Sequence, residues 1–91
     1  MVKQFTDSQV VIGRQSTCQI VLDDSEVSLI HAAIEERDNG YYICDLGSEK
    51  GTYRQGESVL DSQLESGDLI SIGKFRLEFF IGVPKPKAAP K

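Results

Sequence analysis

The chain has 91 residues, 40% of them hydrophobic and 26% charged, the size and composition of one small globular domain. No apolar run approaches the ~20 residues of a membrane-spanning helix and no signal peptide is read at the start, so no membrane insertion is expected and the cytoplasm is the expected location. Net charge is −4, but residues 1–82 hold 7 bases against 14 acids, a net −7, and so acidic a body repels a phosphate backbone, which argues against nucleic acid as a partner.

In chain order, short apolar or alternating runs predict strands at Val2–Phe5, Gln9–Ile12, Gln19–Leu22, His31–Glu36, Tyr41–Leu46, Thr52–Arg54, Leu69–Ile72 and Phe75–Ile81. The 3.6-residue period of an amphipathic helix is nearly absent. Turn signals separate the runs at Thr6-Asp7-Ser8, Asp23-Asp24-Ser25, Asp38-Asn39-Gly40, Gln55-Gly56, Ser66-Gly67-Asp68 and Gly73-Lys74. Many short strands at such spacing predict an all-β sandwich or barrel. The strongest hairpin signal is Arg37-Asp38-Asn39-Gly40, because Asn-Gly tolerates positive φ at both turn positions. Phe75-Arg76-Leu77-Glu78-Phe79 alternates apolar and charged residues, as a strand with one wet face does.

From Val83 to Lys91 the chain carries all three of its prolines. This stretch reads as an extended linker leading to a further domain, with a frayed C-terminus as the alternative, which leaves residues 1–82 as the folded domain. No internal repeat is visible. Cys18 and Cys44 are too few for a zinc site, and the one histidine has no ligand-spaced partner, so no metal or cofactor is expected. Both cysteines read as buried thiols in a reducing compartment; a Cys18–Cys44 disulfide is the alternative for an exported domain.

Ser28, His31 and Asp45 are the residue types of a hydrolytic triad, but no nucleophile elbow, P-loop or dinucleotide fingerprint accompanies them. A chain this short also has little room for a substrate cleft. No enzymatic activity is expected.

A more informative pattern runs over sixty residues. It comprises Gly13-Arg14, Ser28-x-x-His31, Asp45-Leu46-Gly47-Ser48-x-x-Gly51-Thr52 and Leu64-x-x-Gly67-Asp68-x-Ile70-x-x-Gly73. In order and spacing these pieces resemble the forkhead-associated (FHA) domain family, from about Ile12 to Phe80. The resemblance implies a two-sheet β-sandwich of about eleven strands with binding loops at one end. It also implies a phosphothreonine in an extended segment of a partner protein, or of the same chain, as ligand, and no catalysis. Arg14 matches the family arginine that contacts the phosphate, and a guanidinium fork suits phosphate oxygens as a lysine does not. Ser28 matches the serine whose hydroxyl and backbone N–H donate to the phosphate. His31 matches an architectural histidine, Gly51 and Thr52 shape the second loop, and Gly13 serves a backbone role before Arg14. Asp45, Gly67, Asp68 and Gly73 match turn and scaffold positions.

The departures fall in the loops that read phosphate and peptide. Leu29 stands where the family usually has a donor. Glu49 follows Ser48 where another donor is common, and Lys50 replaces the asparagine before Gly-Thr. A lysine donates but cannot accept. Arg54 is a candidate for restoring positive potential, and Gln55 stands where asparagine is common. Glu26, two residues before Ser28, is a candidate selector for a basic or neutral residue after the phosphothreonine; the alternative is a solvated loop residue. Two functions stay open on the sequence: a phosphothreonine-peptide reader, or a degenerate domain that mediates phospho-independent interaction or self-association.

Overall fold

Strands whose side chains alternate between apolar and polar bury one face each, and two such faces packed together make the core. The computed structural model describes residues 3–82, which contain nine strands and no helix. They are β1 Gln9–Gly13, β2 Ile20–Val21, β3 Ala32–Arg37, β4 Gly40–Asp45, β5 Thr52–Arg54, β6 Glu57–Val59, β7 Asp61–Leu64, β8 Leu69–Ile72 and β9 Phe75–Glu78. One sheet has the order β2-β1-β3-β4-β7 and the other β6-β5-β8-β9. All pairings are antiparallel except β1–β2, where Ile12 faces Ile20 in parallel register.

The core between the sheets joins Ile12, Ala32, Ile43 and Leu64 to Ile70 and Ile72, with Leu22 and Val27 entering from the β2–β3 connection. Each such isoleucine or leucine contributes roughly 1.5–3 kcal/mol by leaving water. The rings of Tyr41 and Phe79 meet across the layers at 5.6 Å. In β9 the alternation is as expected: Phe75 and Leu77 are partly buried, Arg76 and Glu78 exposed.

Several expectations are corrected. Nine strands are seen among the described residues rather than eleven. Lys3–Phe5 lies outside any strand, and Val2 and the expected linker 83–91 fall outside the described residues. Two strands, β6 and β7, were not expected at all. The β3–β4 turn is displaced by one residue. Arg37 pairs with Gly40, so Asp38 and Asn39 form the turn, and the positive φ of 134° falls on Gly40 alone. The true turn with two positive φ values is Gln55-Gly56, at 51° and 84°. Gln55 is held there because its N–H donates to the Leu69 carbonyl at 2.8 Å and its Oε1 accepts from the Leu69 N–H at 2.6 Å. Cys18 and Cys44 are both buried, free thiols, and burial pushes the Cys44 thiol up from its ordinary pKa.

Strand direction decides where the connections go. β1 and β4 run toward one end and β3 starts there, so the segments 14–19, 22–31 and 46–51 and the Gly73-Lys74 turn gather at that end. The Asp38-Asn39 and Gln55-Gly56 turns and the Glu65–Asp68 turn lie at the other.

Candidate functional site

β1 ends at Gly13, where the Leu29 main chain passes so close that a Cβ on Gly13 would overlap the Leu29 carbonyl oxygen. Two hydrogen bonds hold the approach. The Arg14 N–H donates to Ser28 O at 3.0 Å and the Gln15 N–H to Leu29 O at 3.1 Å. The Cys18 thiol adds a weaker one to Leu29 O at 3.6 Å. The exposed Arg14 side chain is anchored by its inner nitrogen, Nε–H donating to the Val27 carbonyl at 3.0 Å. Its two terminal nitrogens have no hydrogen-bond or ion-pair partner among the described residues. They form a forked pair of donors on a fixed stem, the geometry that binds two oxygens of one phosphate.

His31 is fully buried. Its Nδ1 accepts from the Ser28 N–H at 3.1 Å, and its Nε2 lies 2.9 Å from the Gly51 carbonyl oxygen. These partners assign the Nε2–H tautomer. Its N–H donates to Ile12 O and its C=O accepts from the Leu46 N–H, both at 2.9 Å. The residue thus joins β1, the first loop and the second. The Ser28 amide is consumed in this arrangement. The expectation has this N–H and the hydroxyl both donating to phosphate; in this structure the N–H is bonded to His31. Ser28 Oγ accepts from the Glu49 N–H at 3.1 Å, and its own proton has no acceptor among the described residues.

The second loop is built on one carboxylate. Asp45 Oδ1 accepts from the N–H groups of Gly47 and Ser48, both at 2.9 Å, and Oδ2 accepts from the hydroxyls of Ser48 and Thr52. Ser48 Oγ in turn accepts from the Gly51 N–H at 3.0 Å. Burial alone would raise the Asp45 carboxyl, but the Ser48 and Thr52 hydroxyls and the two amides outweigh it and hold the pKa below the ordinary carboxylate range.

Arg14, Glu26, Ser28, Leu29 and Glu49 line one pocket of about 240 Å³, together with Ser25 and Val27. Leu29 is 52% exposed. Lys50 reaches back across the loops to Glu26, Nζ to Oε1 at 3.9 Å. Gly51 and Thr52 sit behind them, Thr52 fully buried. Ser48 is directed inward to Asp45 rather than toward a ligand. Arg54 and Gln55 lie at the opposite end of the sandwich. Arg54 is held by Asp68, Nε to Oδ2 at 2.6 Å, so it lends no charge to the pocket.

One contributor escaped the sequence reading, and a second, Asp45, was read only as a turn and scaffold position. The Val27 carbonyl that fixes Arg14 is a main-chain group with no side-chain signal. The organising role of Asp45 did have one, an aspartate followed three residues later by serine, the pattern of a side chain that caps its own loop.

The FHA domain family model matches residues 10–73. Over 70 residues the chain is 43% identical to the oxoglutarate dehydrogenase inhibitor of Corynebacterium diphtheriae, covering 77% of this chain and 49% of that protein. It is also 43% identical over 70 residues to the glycogen accumulation regulator GarA of Mycobacterium tuberculosis, covering 77% of this chain and 43% of that protein. The chain therefore spans less than half the length of these curated relatives. Among solved structures it resembles Mycobacterium tuberculosis EmbR in complex with a low affinity phosphopeptide. The TM-score is 0.85 at 32% identity, over 90% of this chain and 22% of that one.

Proposed function

We infer that this chain, which belongs to the forkhead-associated family, is a phosphothreonine-binding module whose phosphate contacts are Arg14 and Ser28. The ligand is a phosphothreonine segment of a partner protein, or of its own chain. The observation that carries the site assignment is the anchored arginine. Nε is tied to Val27 O while the two terminal nitrogens have no partner among the described residues, in a pocket that Ser28 also lines. Residues 1–82 make the binding unit. The reading is of a binding module without catalysis, in the cytoplasm. Both ring nitrogens of His31 are committed to main-chain groups, so His31 does not serve Ser28 as a general base in the way of a hydrolytic triad.

The test is a phosphothreonine-peptide library screened against the domain with and without phosphatase treatment. Phosphatase-sensitive binding that Arg14→Ala weakens by roughly 10–100-fold, the loss of one or two charge-assisted hydrogen bonds, is the expected result. Arg14→Lys is expected to recover little, since an ammonium cannot bond Val27 O and grip two oxygens together. Equal affinity of wild type and Arg14→Ala removes the site assignment. A second reading, phospho-independent interaction, is favoured by the half-exposed Leu29 and by two carboxylates in the pocket wall. Capture of a partner unchanged by phosphatase treatment would decide for it.

A further inference from the structure

We propose that Glu49 makes this pocket selective for a phosphothreonine that has a lysine or arginine within two or three residues of it, an inference that rests on the phosphothreonine reading.

The wall of the pocket carries opposite charges. Arg14 stands on one loop, and Glu26 and Glu49 face the same space. The two carboxylates are not equivalent. Glu26 Oε1 lies 3.9 Å from the Lys50 ammonium, so part of its charge is already answered. The Glu49 carboxylate has no ion-pair or hydrogen-bond partner among the described residues. Its main chain is fixed at the place that matters, because the Glu49 N–H donates to Ser28 Oγ at 3.1 Å. The side chain therefore leaves from a point beside the hydroxyl that is assigned to the phosphate.

A free carboxylate there opposes the phosphate and adds nothing to its binding. A ligand that brings its own cation removes the opposition, and one that brings a second acid increases it. Selectivity thus arises from repulsion as much as from attraction. Both walls belong to one pocket of about 240 Å³. Two or three residues of extended peptide span roughly 7–10 Å, enough for the phosphate and the cation to engage the two walls together. The net −7 on residues 1–82 acts in the same direction and is screened by salt.

The experiment uses one phosphothreonine peptide in which lysine or glutamate is placed in turn at each position within three residues on either side. Affinities are measured for wild type, Glu49→Gln, Arg14→Ala and Glu57→Gln. Glu57 is exposed on β6 and lies outside the pocket, and its variant controls for net charge. At low salt the wild type is expected to bind the lysine peptide roughly five- to ten-fold better than the glutamate peptide at one position, the attraction and repulsion of an exposed charge together. Glu49→Gln is expected to bring that ratio within about two-fold, Glu57→Gln to keep it, and about 0.5 M salt to erase most of it. An unchanged ratio in Glu49→Gln, or Arg14-dependent binding indifferent to peptide charge, overturns the proposal and leaves the phosphothreonine reading standing. A wild type that binds none of the peptides overturns both.

Discussion

His31 Nε2 lies 2.9 Å from the carbonyl oxygen of Gly51, a hydrogen bond that ties the start of β3 to the backbone of the second binding loop. The other ring nitrogen takes the Ser28 N–H. His31→Ala leaves both main-chain groups without partners in a site closed to water. Each such loss costs about 1–3 kcal/mol. An unfolding free energy lower by about 2–6 kcal/mol, read as a lower urea midpoint, is therefore expected, and any loss of peptide affinity should come with it. A variant of normal stability that fails to bind would show instead that the imidazole touches the ligand.

Gly13→Ala is expected to be more damaging than a glycine-to-alanine change in a strand usually is. The new Cβ overlaps the Leu29 carbonyl oxygen, a main-chain atom that cannot rotate away. Relief requires moving the Ser28-Leu29 segment, and overpacking of this kind costs about 1–3 kcal/mol. Chemical-shift changes at Ser28, Leu29 and Glu49, with weakened phosphopeptide binding, would show the displacement. Shifts confined to residues next to position 13 would contradict it.

The Asp45 carboxyl gives the domain an acid-sensitive loop. Its pKa is held below the unfolded value, so the stabilisation it supplies is fully present above about pH 4 and is lost as pH falls through the folded value. Asp68 acts with the same sign: burial raises it, and the Glu65 N–H and Arg54 outweigh that. Asp45→Asn is expected to destabilise at pH 7 by about 1.5–3 kcal/mol, the range for hydrogen bonds to a charged acceptor. It should also flatten part of the fall in stability below pH 4. A variant that keeps the wild-type acid profile would remove Asp45 as a source of it.

Arg54 separates a structural cation from a ligand-binding one. Its Nε meets Asp68 Oδ2 at 2.6 Å at the end of the sandwich away from Arg14. Arg54→Ala is expected to lower stability by about 1–3 kcal/mol, because the buried Asp68 loses a charged donor, and to change phosphopeptide affinity by less than about two-fold. Loss of affinity at unchanged stability would place Arg54 in the site after all.

Much of the fold is legible in the chain because alternation is a local property. Gln9–Gly13, Leu69–Ile72 and Phe75–Glu78 each carry enough buried or partly buried apolar side chains to announce a strand. Glu57–Val59 and Asp61–Leu64 do not. They are edge strands, β6 of one sheet and β7 of the other, mostly exposed and mostly polar, and their main-chain pairing to β5 and β4 leaves little trace in side-chain pattern. The β3–β4 turn was misplaced for a related reason. The dipeptide Asn39-Gly40 permits two positive φ values, but the register of Arg37 against Gly40 requires only one.

The residue types that reach the binding end are readable along the chain, since Gly13-Arg14, Ser28, His31 and Gly51-Thr52 stand there in a recognisable order. What each of them does there depends on its neighbours in the folded domain. The Ser28 amide is given to His31, the inner nitrogen of Arg14 to Val27 O, and the Ser48 hydroxyl to Asp45. The Glu49 carboxylate is left without a partner among the described residues, while Arg54 and Gln55 are carried to the far end. The physical reason is that most of these outcomes turn on main-chain donors and acceptors and on strand direction. A carbonyl or an amide looks the same at every position of the sequence until the fold brings a particular one within about 3 Å of a side chain.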